Sequence, residues 1–233
     1  MRRLICAVIC ASFFIMPVSG AEHTKYAALT FDDGPSGRFT QALLDGLSQR
    51  QVKATFFLCG YRVKQFPQIA KRILEEGHEV GCHGYSHKPM NSMSRRDMVQ
   101  EITTTQSLLP EGAQVRLLRP PGGCCSDSVT QVSKARQMPI VLWSVDPRDW
   151  ATDDVSSIEK AVLNKVSDGD VILLHDMSES SVNAALDIVD DLLSRGYRFA
   201  TVSELAAMRS IRIVPGKTFC SFPRRAVAAA PGA

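Results

Sequence analysis

The chain lacks a glycine-rich phosphate loop, an internal repeat and any Cys-x-x-Cys pair. These absences remove a phosphate cradle at a helix start, a solenoid and a zinc ribbon from consideration. A dominant charge is also missing, because 27 Lys and Arg face 24 Asp and Glu for a formal +3. Two of those charges sit at Arg2 and Arg3, so loss of residues 1–21 leaves +1 and no electrostatic case for nucleic acid. The one long apolar run is Leu4 to Val18, and no later stretch is long and apolar enough to cross a bilayer. No linker divides the remainder. With 233 residues and 45% apolar content, the chain can build one sizeable core.

The start carries a targeting pattern. Arg2 and Arg3 precede the apolar run, and small residues follow at Ser19, Gly20 and Ala21. The expectation is a signal peptide over 1–21, cut after Ala21, with export to the periplasm or beyond and no membrane span after cleavage. No cysteine follows the cut, so no lipid-anchor signal is read there. The competing reading is an uncleaved anchor, for which the run is short. Cys6 and Cys10 leave with this segment, while Cys59, Cys82, Cys124, Cys125 and Cys220 remain. An odd number in an oxidising compartment leaves at least one thiol unpaired or open to another chain. Cys59 and Cys82, at the ends of neighbouring strands, form one candidate disulfide. The alternative is that both are small buried apolar residues.

Apolar patterning predicts strands at His23–Thr30, Val52–Leu58, His78–Cys82, Val115–Leu118, Pro139–Ser144, Val171–Leu174 and Arg198–Thr201. Helical spacing predicts helices from Thr40, Pro67, Ser94, Asp127, Ser156 or Ser157, Ser181 and Ser203. Strand and helix thus alternate about seven times, with no alternating two-faced strands. That rhythm belongs to an α/β fold, with helices outside a mostly parallel sheet. Repetition favours a barrel, and an open doubly wound sheet is the alternative. We expect one domain over 22–209 and a C-terminal extension over 210–233, loose at its end, Ala226 to Ala233.

The chemistry-bearing residues sit at strand ends. Asp32 and Asp33 close the first apolar strand before Gly34-Pro35, and neighbouring side chains on an extended stretch point different ways. One can hold a metal while the other faces water or substrate; the bland alternative is a solvated turn. His83 and His87 follow the third strand at a spacing that lets two imidazoles converge, with Asp33 as a third ligand. Arg119, at the end of the fourth strand before Pro120-Pro121-Gly122-Gly123, can pair with Asp32, and the Gly122 N–H can face an oxyanion. The alternative there is a snorkelling arginine beside a rigid turn. Asp146 and Asp149 offer carboxylates after the fifth strand, and Trp150 either lines a groove or plugs the barrel end. His175 emerges after four apolar residues, placed as a general acid whose proton Asp146 can hold. A buried, satisfied histidine is the competing reading.

Taken in order, these residues resemble the five motifs of the polysaccharide deacetylase family, also called the NodB-homology or carbohydrate esterase family 4 domain. The resemblance runs from about Lys25 to Met208. It implies a deformed (β/α)7-like barrel and metal-dependent deacetylation of N-acetylated sugars in a glycan such as peptidoglycan or chitin oligomers. It implies Asp32 as base, Asp33, His83 and His87 as metal ligands, and Arg119 as the residue that orients the base. It also implies His175 as the acid and matches Asp146, Asp149 and Trp150 to the fourth motif. Zn2+ is the expected metal, with Co2+ or another divalent ion as the alternative. Other outcomes are an O-acetyl esterase or small-amide hydrolase on the same scaffold, or a non-catalytic carbohydrate-binding relative. The chain departs from the family at Gly84, where a serine or threonine is usual, and at Gly122, where an aromatic residue is usual. From the first departure we expect Gly84→Ser or Gly84→Thr to tighten metal binding, unless glycine is there for its backbone. From the second we expect one wall of the groove to be missing.

Overall fold

A computed structural model describes residues 23–224. The expected signal peptide over 1–21 and the end at 226–233 lie outside the described residues. In chain order the regular elements are β1 (Lys25–Asp32), α1 (Arg38–Gln49), β2 (Thr55–Leu58), α2 (Gly60–Gln65), α3 (Pro67–Glu75), β3 (Glu79–Cys82) and α4 (Arg95–Leu108). There follow α5 (Asp127–Ala135), β4 (Ile140–Val141), α6 (Val155–Leu163), β5 (Val171–His175), α7 (Glu179–Ser194), β6 (Tyr197–Phe199), α8 (Val202–Met208) and β7 (Thr218–Phe219).

β1 is central because its run from Ala27 to Asp32 is buried on both faces, the signature of a strand inside a parallel sheet. It pairs β5 over Ala28–Asp32, β2 over Thr30–Asp32 and β6 over Lys25–Ala27, all in parallel. β2 pairs β3, and single bridges carry the ring onward from Cys82 to Leu118, from Leu118 to Ile140, and from Val145 to Ile172 on β5. The result is a distorted, mostly parallel barrel with helices packed outside it.

Strand alternation sorts side chains between two compartments. Ala27, Leu29 and Phe31 of β1 join the core beneath the helices, with Phe56, Leu58, Val80 and Cys82. Ala28 faces the barrel interior with Phe57, Leu117, Val141, Val171 and Phe222. Thr30 and Asp32 share the face of Ala28, so Asp32 emerges at the top of the barrel.

Several expectations are corrected. Val115–Leu118 is not a strand: only Leu118 bridges its neighbours, because it meets β3 at that strand's last residue, and Pro120 and Pro121 have no N–H to extend a ladder. The fifth expected strand shrinks to Ile140–Val141. Helix caps fall one or more residues from the expected starts, at Ser126, Asp154, Ser178 and Thr201, whereas Ser94 caps α4 through the Asp97 N–H as expected. Cys59 and Cys82 are buried thiols, not a disulfide. Cys82 is in register with Leu58, so Cys59, the next residue, points to the opposite face. Residues 210–224 join the body: β7 pairs β4, and fully buried Phe222 donates its N–H to the Gly169 carbonyl at 2.7 Å.

Candidate active site

The strand ends meet at one rim around an open cleft of about 460 Å3 lined by Asp32, Asp33, His83, His87, Trp143 and Trp150, with Gly122, Asp146, Leu173 and His175. Asp32 is the last residue of β1 and only 3% exposed. Its Oδ1 accepts from Arg119 Nη1 at 2.7 Å. Arg119 is itself fully buried, and each of its three nitrogens donates: Nη1 also reaches the Thr30 hydroxyl, Nε the Val141 carbonyl and Nη2 the Leu142 carbonyl. Its guanidinium lies 3.9 Å from the centre of the Phe57 ring. Burial lowers the Arg119 pKa, and Asp32 opposes that shift. Such a buried pair persists because both partners are hydrogen-bonded, and removing one leaves the other unpaired at a cost of about 3–5 kcal/mol.

The next residue takes a different path. Asp33 has φ 72, a left-handed conformation that non-glycine residues seldom adopt, and His87 has φ 59. Strain of this kind persists where the surroundings enforce it, commonly at functional sites. It brings Asp33 Oδ1 within 2.9 Å of His87 Nε2 and 3.3 Å of His83 Nε2. Asp33, His83 and His87 each present one ligand atom, all within 4.8 Å of one another. His83 is buried, Asp33 partly so, and His87 reaches solvent.

Hydrogen bonding shows that this trio suits a cation. His83 Nδ1 lies 2.7 Å from the Arg119 carbonyl, which can only accept. The ring proton therefore sits on Nδ1, and Nε2 of the neutral imidazole is a bare lone pair aimed at an acceptor. Asp33 Oδ1 is buried, and with neutral rings it has no donor. Burial raises the Asp33 carboxyl, but hydrogen bonds from the two rings, with positive charge on them, outweigh it and hold the group well below the ordinary carboxylate range; a cation bound between them would supply charge at the same place. Two imidazole nitrogens and one carboxylate oxygen are a donor set for a divalent ion with open positions. Arg119 serves both halves of the site, its side chain fixing Asp32 and its carbonyl fixing the tautomer of His83.

His175 ends β5 opposite Asp32 in the β1–β5 register. The structure corrects the expected partner of this histidine. Asp149, not Asp146, holds it: Asp149 Oδ1 is 2.8 Å from His175 Nδ1, and Oδ2 accepts the His175 N–H at 2.8 Å. The reason is local. Arg148 adopts φ 57 and swings Asp149 inward to a buried position, while Asp146 accepts the Arg148 N–H in its own turn. Burial works against a charged His175, but the Asp149 hydrogen bond and the charges of Asp149, Asp32 and Asp33 prevail and raise it to about 9. Trp150 does not plug the barrel. It is 61% exposed at the mouth of the cleft, with the Arg148 guanidinium 5.1 Å from its ring.

Three contributors escaped the sequence reading. Glu101 of α4 accepts the Tyr85 and Ser86 N–H groups, each at 2.7 Å, and the Ser86 hydroxyl at 2.9 Å. It thereby braces the loop between the two histidines. Gly84 beside it has φ 77, and an added Cβ would lie 3.2 Å from both Glu101 Oε2 and Met90 Cε. Glycine is thus required here by its backbone. Trp143 lines the cleft and supplies a wall on the side of Gly122. Asp176 is fully buried behind Asp33. The Thr40 hydroxyl donates to its carboxyl, Ser36 Oγ donates to its carbonyl at 2.5 Å, and burial pushes the carboxyl up to about 7. A Cβ on Gly34 would lie 2.6 Å from Asp176 Oδ1, so only glycine fits that turn. A helix-face glutamate and a strand-end tryptophan carry no local signal. Asp176 had only its place after His175.

Residues 19–141 match the family model described as polysaccharide deacetylase. A peptidoglycan-N-acetylglucosamine deacetylase of Bacillus cereus is 40% identical over 187 residues, covering 78% of this chain and 88% of that protein. The peptidoglycan-N-acetylmuramic acid deacetylase PdaC of Bacillus subtilis is 38% identical over 190 residues, covering 81% of this chain but only 40% of that protein. A solved structure described as T48 deacetylase with substrate superposes with a TM-score of 0.79 at 36% identity, covering 84% of this chain and 96% of that one. With the rim of Asp32, Asp33, His83, His87, Arg119 and His175 already in place, these matches establish that the chain belongs to the polysaccharide deacetylase family.

Proposed function

We propose that the protein is an exported, metal-dependent hydrolase that removes acetyl groups from N-acetylated sugars of a glycan, with peptidoglycan or chitin oligomers as the substrate class. The observation that carries this reading is the pairing of a three-ligand cluster with two differently held proton carriers across one cleft. The relatives named above, which act on N-acetylated sugars of peptidoglycan, support the substrate class. Export rests on the amino-terminal pattern of the sequence.

Asp33, His83 and His87 would hold the ion, with Zn2+ favoured by the nitrogen-rich donor set and Co2+ compatible with it. A divalent ion bound there lowers the pKa of water and polarises an acetyl carbonyl. Asp32, fixed by Arg119, is oriented to take a proton from the attacking water. Gly122 belongs to a turn that lines the cleft, and its N–H would serve an oxyanion there. His175, kept protonated by Asp149, delivers its proton to the departing sugar amine. Asp146 shapes the turn that bears Arg148, and Trp150 offers an exposed ring on which a sugar can stack.

The test is a mass-spectrometric product profile on defined chitin oligomers and muropeptide fragments with zinc supplied. The reading expects loss of acetyl groups at sugar nitrogens. Acetyl loss only from O-acetylated substrates would replace it with an esterase, and no acetyl loss from either class would refute it.

A further inference from the structure

One buried carboxyl takes no part in the chemistry above. Asp176 is fully buried, and its Oδ1 has no hydrogen-bond partner among the described residues. A buried oxygen left in that state calls for a reason, and its place in the sheet supplies one. The β1–β5 register ends with Asp32 opposite His175, so Asp33 and Asp176 are the residues at which the two strands part. There Asp33 takes its left-handed φ of 72, and Gly34-Pro35 leads the chain to α1. The Asp176 carboxyl lies against that turn: a Cβ built on Gly34 would be 2.6 Å from Oδ1, 2.7 Å from Oδ2 and 3.0 Å from Cγ. The Gly34 carbonyl is held in its turn by the Cys59 N–H at 3.0 Å. Hydrogen bonds then tie Asp176 to the segment that follows. The Thr40 hydroxyl donates to Asp176 Oδ2 and accepts the Ser36 N–H at 2.7 Å. The Ser36 hydroxyl donates to the Asp176 carbonyl at 2.5 Å and accepts the Thr40 N–H at 3.2 Å. Ser36 and Thr40 are both buried. The residue that begins α1 is Gly37, which makes no side-chain cap, so Ser36 satisfies the helix start in its place.

We propose that Asp176 is the positioning residue for Asp33: with Ser36 and Thr40 it clamps the turn that keeps the Asp33 carboxylate on His83 and His87. A left-handed aspartate is costly, and in an unheld turn its backbone would relax toward the extended region and carry the carboxylate off the two rings. The clamp resists that relaxation at two points. The Asp176 carboxyl blocks movement at Gly34, and the bonds through Ser36 and Thr40 keep the turn and the start of α1 seated on the end of β5. Asp176 touches neither substrate nor reacting atoms and acts through Asp33. One strand end thus serves both halves of the site, with His175 opposite Asp32 and Asp176 behind Asp33. The inference rests on the reading of Asp33, His83 and His87 as metal ligands, and groups that orient such ligands typically contribute about 10–100-fold to metal affinity.

Thr40→Val keeps the shape of the side chain and removes the hydroxyl that joins Asp176 to Ser36. Zinc affinity is measured on the full chain with a metal-buffered indicator, beside a urea midpoint for each variant. Thr40→Val is expected to bind zinc about tenfold more weakly than wild type, and Thr40→Ser, which restores the hydroxyl, is expected to recover wild-type affinity. Ser133→Ala removes a different buried hydroxyl bond, from α5 to the Met138 carbonyl. It is expected to lower the urea midpoint and leave zinc affinity unchanged. Ser36→Ala removes the other arm of the clamp, is expected to weaken zinc in the same direction, and takes the place of Thr40→Val should that variant not fold. Wild-type affinity in the clamp variant that folds would overturn the proposal. So would equal weakening in Thr40→Ser or in Ser133→Ala, because affinity would then follow stability alone. A wild-type protein that binds no zinc would overturn the metal reading itself, and the clamp with it.

Discussion

His175 and Asp149 form a proton-holding pair, and the pair sets a pH dependence whose sign follows from its geometry. A leaving amine needs a charged His175, and the Asp149 carboxylate holds that proton up to about pH 9. Activity should therefore fall as pH rises through about 9. In Asp149→Asn the alkaline limb should move toward the ordinary histidine value of about 6.5, whereas Asp146→Asn should leave it in place. Stability shares the sign: the folded pKa lies above the unfolded one, so the contribution is full below about pH 6.5 and lost as pH rises through about 9. A pH–rate profile of the three proteins checks the assignment, and an unmoved limb in Asp149→Asn would return the role to another group. The sequence made both aspartates visible but not the choice between them, since that choice depends on the left-handed Arg148. Gly84 reverses an expectation at the same scale. A serine or threonine there meets a φ of 77 and a crowded Glu101, so Gly84→Ser should cost about 1–3 kcal/mol of stability and leave zinc affinity no tighter. Urea unfolding and a metal-buffered indicator measure the two effects.

Among the elements, α4 acts on the site from outside the rim. Its Glu101 collects two backbone N–H groups and one hydroxyl from the loop between His83 and His87. Groups that orient metal ligands typically contribute about 10–100-fold to affinity. Glu101→Gln should therefore weaken zinc binding by about tenfold with unchanged far-ultraviolet circular dichroism, and equal affinity would reduce Glu101 to a helix-surface residue. Elements were legible where their signal was local. Continuous apolar runs announced β1, β2 and β5, and apolar spacing with turn residues announced most of the helices, with the cap of α4 but not most of the others. β4 was read too long and β7 was illegible, because their pairing joins residues 140–141 to 218–219, a contact that no local pattern encodes.

For the molecule as a whole, residues 210–224 pack onto the barrel. Phe222 is fully buried, its N–H bonds Gly169, and Arg224 pairs with Asp168. Phe222→Ala should cost about 3–5 kcal/mol in chemical denaturation, and a midpoint equal to wild type would show that this stretch merely lies on the surface. The barrel's purpose in the account is to hold two aspartates, adjacent in sequence, to different tasks, with Asp32 on Arg119 and Asp33 on the two histidines. That separation is the central claim. Its most direct measurement is zinc content together with acetate release from N-acetylated oligosaccharides, made on wild type, Asp32→Asn and Asp33→Ala. The account predicts that Asp32→Asn keeps its zinc and loses acetate release by about 10²–10⁴-fold, while Asp33→Ala loses the zinc itself. Full acetate release by Asp32→Asn, or wild-type zinc content in Asp33→Ala, would contradict it.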